Sequence, residues 1–175
     1  HVNLEATSLG PKAAIQVAQA LASGCPQLEY LNLNACDITP EGVPQVAQAI
    51  SAMKNLKTLK ISENELGDLG IAQICVALKM AGCPVVELDV STNELVEKGA
   101  VAAAKLAASR AGFTSLNLDG NYISDEGVEE VKSIMEGAGI ASALMPMEEN
   151  DADMADDVDD DNAEGLDNLL AHLKL

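Results

Sequence analysis

A column of apolar residues recurs along this chain at alternating intervals of 29 and 28 residues, and no other feature restricts the fold so tightly. The column runs Leu4, Leu33, Ile61, Val90 and Leu118, inside five similar segments at residues 2–9, 31–38, 59–66, 88–95 and 116–123. Each follows the pattern LxLxxNxL. Side chains alternate across a strand, so Leu31 and Leu33 point to one side and Asn32 to the other. Asn64, Asn93 and Asn121 fill the asparagine column, where a side-chain amide can both donate to and accept from backbone groups at a turn. Cys36 and Thr7 take that place in the second and first copies.

A glycine column follows each segment at Gly42, Gly70, Gly99 and Gly127, with Ala13 in the first copy. Beyond it the apolar spacing becomes helical: Val43, Val46, Ala47 and Ile50, then Ile71, Ile74, Cys75 and Leu78, then Val128, Val131 and Met135. Thr39-Pro40-Glu41 and Ser124-Asp125-Glu126 supply helix-start residues with early carboxylates. Strand, turn, helix and return loop, repeated five times, define leucine-rich repeats. A repeat this long has room for a full helix. The expected fold class is therefore α/β, a leucine-rich-repeat solenoid of ribonuclease-inhibitor type, with parallel concave strands and convex helices over residues 1–147. Aliphatic layers of matching shape account for a chain of 175 residues with only three aromatics, Tyr30, Phe113 and Tyr122. The first layer, around Val2 and Leu4, lacks the polar cap a solenoid end needs, which suggests a piece of a longer protein.

Charge divides the chain again. Ten Lys and Arg stand against 28 Asp and Glu, for a net of −18. Residues 1–147 hold a net of −8, and residues 148–175, with 11 acidic residues and Lys174, hold −10. Residues 148–162 are expected to be an acidic disordered tail, since they have little apolar surface to bury and their like charges repel. Residues 163–175 are expected to form a short amphipathic helix, because Leu166, Leu169, Leu170 and Leu173 follow i, i+3, i+4, i+7 spacing. Two destinations fit that helix: the chain's own solenoid or another protein. Its Leu166-Asp167-Asn168-Leu169-Leu170 string also matches LxxLL.

Several functions are disfavoured. Nucleic-acid binding needs clustered cations and stacking aromatics, and this chain is acidic and aromatic-poor. No apolar run approaches bilayer length, so membrane insertion is not expected. Cys25, Cys36, Cys75 and Cys83 form no CxxC or Cys/His cluster, and the only histidines are His1 and His172. No metal, cofactor or catalytic residues are assigned. The cysteines read as small core residues in a reducing compartment. What remains is a binding solenoid. Its expected partner-binding residues on the concave face are Asn3, Glu5, Asn32, Asn34, Lys60, Ser62, Asp89, Ser91, Asn117 and Asp119. Glu63, Glu65, Asp68, Glu94 and Glu97 extend them along the strand-to-helix rim. A mildly acidic strip of this kind suits a protein with a basic face.

The stretch Gly112-Phe113-Thr114-Ser115-Leu116-Asn117-Leu118-Asp119-Gly120-Asn121-Tyr122-Ile123-Ser124-Asp125-Glu126-Gly127, followed by an acidic tail, resembles the last repeat of the Ran GTPase-activating protein family, particularly its plant and algal members. The resemblance implies a solenoid that grips the small GTPase Ran and promotes GTP hydrolysis by Ran's own catalytic groups. It further implies a role in nucleocytoplasmic transport, in the cytoplasm and at the nuclear envelope. Members have about eleven repeats and a functionally important arginine on an early loop, whereas this chain has five repeats and the single arginine Arg110. Arg110 falls on the return-loop side, so it is no replacement, and the chain alone is expected to be weak or silent as an activator. The alternative is an interaction scaffold without GTPase-activating role, ribonuclease-inhibitor-like or cytoskeletal and ciliary.

Overall fold

Two leucines separated by one residue favour a short strand, and a 28- or 29-residue return brings the next such pair alongside. The computed structural model describes residues 1–7, 10–157 and 163–173. In it β1 (Val2–Asn3), β2 (Tyr30–Asn32), β3 (Thr58–Lys60), β4 (Glu87–Asp89) and β5 (Ser115–Asn117) form one parallel sheet in sequence order. The register follows the leucine column, with Leu31, Leu59, Leu88 and Leu116 paired in succession and Val2 opposite Leu31. Each strand is followed by a convex helix: α1 (Gly10–Gly24), α2 (Val43–Ala52), α3 (Gly67–Ala81), α4 (Lys98–Ala108) and α5 (Asp125–Gly137). The chain is an α/β leucine-rich-repeat solenoid. Leu33, Ile61, Val90 and Leu118 are fully buried between sheet and helices, together with Val46, Ile50, Ile74 and Leu78.

The asparagine column closes the turns between strand and helix. Asn64 Nδ2 donates to the carbonyls of Leu33, Ile61 and Ser62 at 3.1, 3.0 and 2.9 Å, while its Oδ1 accepts from the Ile38 and Cys36 amides at 2.9 and 3.3 Å. Asn121 repeats this two layers on, donating to Val90 and Leu118 and accepting from Asn93 and Leu95. Asn93 donates to Ile61 and Ser91, but its buried Oδ1 has no partner among the described residues. Cys36 offers only a thiol, which contacts the Leu4 carbonyl oxygen at 3.3 Å, and Thr7 donates its hydroxyl to the same carbonyl at 2.6 Å.

The glycine column marks where neighbouring repeats touch. A Cβ on Gly99 would lie 2.8 Å from Asp68 Cα, and one on Gly127 would lie 3.1 Å from Glu97 Cγ. α4 and α5 therefore begin against the residue two places before the glycine of the preceding repeat, whereas Gly70 meets Val43 and Gly42 meets Ile15. Of the two helix starts, Ser124 accepts from the Gly127 amide at 3.1 Å as a cap should. Thr39 makes no such bond; a 3₁₀ turn, Pro40–Gly42, leads into α2 instead. The Thr39 hydroxyl bonds the Glu41 carboxylate and holds that group below its usual range.

The acidic tail differs from the expected disordered segment. Leu144 bridges Leu116 in parallel, and the Met145 amide donates to the Leu116 carbonyl at 2.9 Å. Pro146 has no N–H, so the strand ladder stops there. Asn150 then occupies a sixth position of the asparagine column: its Oδ1 accepts from the Ile123 amide at 2.9 Å and its Nδ2 donates to the Ile123 carbonyl at 2.8 Å. The Glu149 and Asp151 amides donate to Asp119 Oδ1 and the Asn121 carbonyl at 2.7 and 2.9 Å, and a 3₁₀ segment follows at Ala152–Asp157. Solenoid bonding thus runs past residue 147, because the last repeat offers unpaired edge groups and Asn150 can meet them. The rest of the expected tail, residues 158–162, lies outside the described residues, as do Ser8, Leu9, Lys174 and Leu175. The C-terminal helix is α6 (Ala163–His172), and of its two possible destinations it takes the chain's own α3 and α4. Leu166 and Leu173 are buried there, and Lys98 Nζ sits 3.2 Å from Asp167 Oδ1.

Replacing Asn64 with alanine strands two buried amides and three carbonyls, and should cost about 3 kcal/mol in a urea titration followed by circular dichroism. Gly99→Ala forces a methyl group against the Asp68 backbone and should cost about 1–3 kcal/mol in the same assay.

Candidate protein-binding face

Strand alternation puts the residues flanking each three-residue strand's central leucine on the concave side, but concave curvature also brings neighbouring strands' side chains together there. Asn3, Asn32, Asp89 and Asn117 each accept, through Oδ1, from the amide two residues on: Glu5, Asn34, Ser91 and Asp119. These are local side-chain turns that end the strands. Lys60 cannot accept, and in its repeat the role passes to Asn34, whose Oδ1 takes the Ser62 amide at 2.8 Å.

The expected concave residues therefore divide. Asn3 and Glu5 are exposed, and Lys60, Asp89, Ser91, Asn117 and Asp119 are half-buried. Asn32, Asn34 and Ser62 are buried, at 2, 7 and 4% exposure, which corrects their assignment as contact residues. Their polar atoms hold backbone amides and each other's layers, and Asn32 Nδ2 also donates to Glu5 Oε2 at 3.2 Å. On the rim, Glu63, Glu65 and Glu94 are exposed and Glu97 is half-buried.

Asp68 is a second correction. Its carboxylate turns back to accept from the Val96 and Glu97 amides, 2.9 and 3.4 Å away, and so closes the turn into α4 from the preceding repeat. Burial pushes its pKa up despite the backbone amides that favour its charge. A carboxylate held in this way is a structural part, not a contact waiting for a partner.

Sequence reasoning passed over three contributors. Glu87 on β4 is exposed beside Asp89, and its Oε2 accepts from Thr58 Oγ1 at 3.1 Å. Met145, from the irregular sixth turn, is 44% exposed and joins Lys60, Glu87, Asp89 and Asn117 around a shallow concave hollow of about 210 Å³. Asp37 is exposed on the rim in the same column as Glu65 and Glu94, at spacings of 28 and 29, a signal already present in the repeat register. The face that results is a strip of fixed carboxylates around one lysine. On the opposite rim, Arg110 Nη2 donates to the Leu78 carbonyl at 2.9 Å and secures the end of α3.

Other groups carry no comparable arrangement. Cys36, Cys75 and Cys83 are buried, and burial pushes the Cys75 thiol up to about 12; Cys25 is exposed, unlike the core residue expected there. No helix among the described residues is long and apolar enough to cross a membrane.

A leucine-rich-repeat family model matches residues 24–43, 52–75 and 113–131. The chain folds as a leucine-rich-repeat solenoid. It is 35% identical over 87% of its length to RAN GTPase-activating protein 2 of Arabidopsis thaliana, of which it spans 27%. The likeness expected from the last repeat and the acidic tail is thus present across most of the repeats. It is also 29% identical over 81% of its length to the ribonuclease inhibitor of Sus scrofa, spanning 31% of that protein. Among solved structures, an actin-binding site 2 segment of leiomodin-1 superposes with a TM-score of 0.59 at 16% identity, covering 90% of this chain and 85% of that one. At that identity the likeness shows the solenoid fold alone.

The raised pKa of Asp68 has a definite sign. Between the unfolded value of 3.8 and its higher folded value, the native state holds the proton more tightly. That contribution is complete below 3.8 and is lost as pH rises through the folded pKa. The stability of the native chain minus that of Asp68→Asn should therefore fall as pH rises above 3.8 and level off once the raised folded pKa is passed, measured by paired urea titrations.

Proposed function

We infer that this chain is the protein-gripping C-terminal repeat region of a Ran GTPase activator, its exposed carboxylates meeting a basic face of the GTPase. The observation that carries the reading is the 35% identity spread over 87% of the chain. The acidic strip supports it, because carboxylates held on a rigid sheet steer a basic partner without first having to be ordered.

In this reading the repeats hold Ran while Ran's own groups act on GTP, and the solenoid donates no reacting group. An inserted arginine can raise GTP hydrolysis by a factor of about 10³–10⁵. Arg110 is tied to the Leu78 carbonyl on the return-loop rim, away from the acidic strip, so it is not free for such a role. The chain spans 27% of the Arabidopsis relative, and this reading assigns the activating arginine to an early repeat, as the family resemblance implies. The setting is nucleocytoplasmic transport, in the cytoplasm and at the nuclear envelope.

Single-turnover GTP hydrolysis by Ran tests the reading. The full-length parent should accelerate hydrolysis by several orders of magnitude, while this chain alone leaves the intrinsic rate unchanged yet binds Ran. Glu63→Gln, Glu65→Gln and Glu94→Gln together should weaken that binding by about tenfold at low salt and less at high salt. A full-length parent without effect on Ran would overturn the assignment and leave an interaction scaffold.

A further inference from the structure

A convex helix in a chain of net −18 is expected to turn carboxylates to the water, and α5 does so with Glu129, Glu130 and Glu136. The outward side of α2 and α3 is different. No residue of α2 is charged, and α3 has only Lys79 and Asp68, whose carboxylate is turned into the amides of the next repeat. Pro44, Gln48 and Met80 are exposed on these two helices, and Val76 and Ala77 are half-buried between them. At 71%, Met80 is the most exposed large hydrophobic side chain among the described residues.

Pro44, Ala47, Val76, Ala77 and Met80 line an open groove of about 530 Å³ between α2 and α3, with Leu169 of α6 along it. Its described lining residues include no carboxylate and one cation, Lys54. Lys54 Nζ donates to the Ser51 and Ala81 carbonyls at 2.9 and 3.2 Å, which places its charge at the return-loop end, where both helices finish. Contiguous apolar surface left open beside polar groups marks an interaction site.

The chain itself shows what such a surface takes. One repeat further on, α6 lies on α3 and α4, with Leu166 and Leu173 buried and Asp167 beside Lys98. Successive convex helices are related by the repeat, so the α2–α3 groove is a neighbouring site of the same kind, and Leu169 stands at the boundary between the two. A second copy of the chain suits it poorly, because it would bring −18 against −18. We propose that the α2–α3 groove is the docking site for an amphipathic helix of a partner protein, laid in beside α6. Its leucines, spaced i, i+3, i+4 and i+7, pack on Ala47, Val76 and Met80, and a carboxylate at one end meets Lys54 as Asp167 meets Lys98. The groove lies on the helix side of the sheet, so its occupant leaves the concave strip free.

A synthetic peptide of residues 163–175 is the probe, since it has this leucine spacing and Asp167, and the surface it covers within the chain is already filled. Added to the isotope-labelled full chain, it should shift the amide resonances of Ala47, Ser51, Val76 and Met80 and leave those of Val101 and Ala102 in α4 in place. Met80→Glu sets a charge on the groove wall and should weaken peptide binding about tenfold. Because Met80 is exposed, the same change should leave the melting temperature unaltered. No shift at about 1 mM peptide, or undiminished binding to Met80→Glu, would overturn the proposal. Shifts confined to α4 and the chain's own α6 would also overturn it, as they mark exchange at the covered surface. A dimer in sedimentation equilibrium that Met80→Glu dissociates would assign the groove to a second copy and overturn it too.

Discussion

A side-chain amide buried at each turn is the interaction on which this solenoid rests. A chain that reverses direction twice in 28 or 29 residues must bury loop backbone between layers, and each of those groups needs a partner. Asn64 and Asn121 each serve five such groups, as donor and acceptor together. The residue just before the column has to turn left-handed, and Ala35, Glu63, Thr92 and Gly120 all do so, with φ between 50 and 64°. For Thr92 that conformation is unfavourable, and the amide bonds on either side are what hold it. Glycine resolves the strain only at Gly120, where a Cβ would also lie 2.7 Å from Thr92 Oγ1.

The repeat geometry was legible because spacing carries it. Strand register, sheet order and the helix starts all follow from columns that can be counted. What escaped counting was anything that broke the period. The sixth turn has Met145-Pro146-Met147 where the earlier copies carry their strand pattern, and its asparagine comes 29 residues after Asn121 although Leu144 comes 28 after Leu116. One inserted residue was enough to hide a turn that the backbone completes. The acidic composition around it argued for disorder, and Asn150 outweighed that argument with two bonds in a position where the last repeat offered no other partner.

The binding face was less legible, for a reason specific to curvature. Alternation along a strand correctly assigns Asn32 and Ser62 to the concave side, yet says nothing of how closely neighbouring strands crowd there. Short polar side chains are the ones that fold back onto backbone amides, so Asn32, Asn34 and Ser62 vanish from the surface while Glu5 and Glu87 remain on it. Asp68 shows the same competition on the rim, where a carboxylate near open helix amides is taken up by them before any partner arrives. Longer glutamates in equivalent loops, Glu65 and Glu94, stay free for solvent.

These two uses of carboxylates separate the molecule into faces with different roles. The concave strip and its rim are set by turns that the asparagine ladder holds rigid, so a partner there meets charges already in place. On the convex side α3 and α4 are apolar where α6 meets them, so the chain covers that face with its own C-terminal helix and leaves the concave strip as a surface open to another protein.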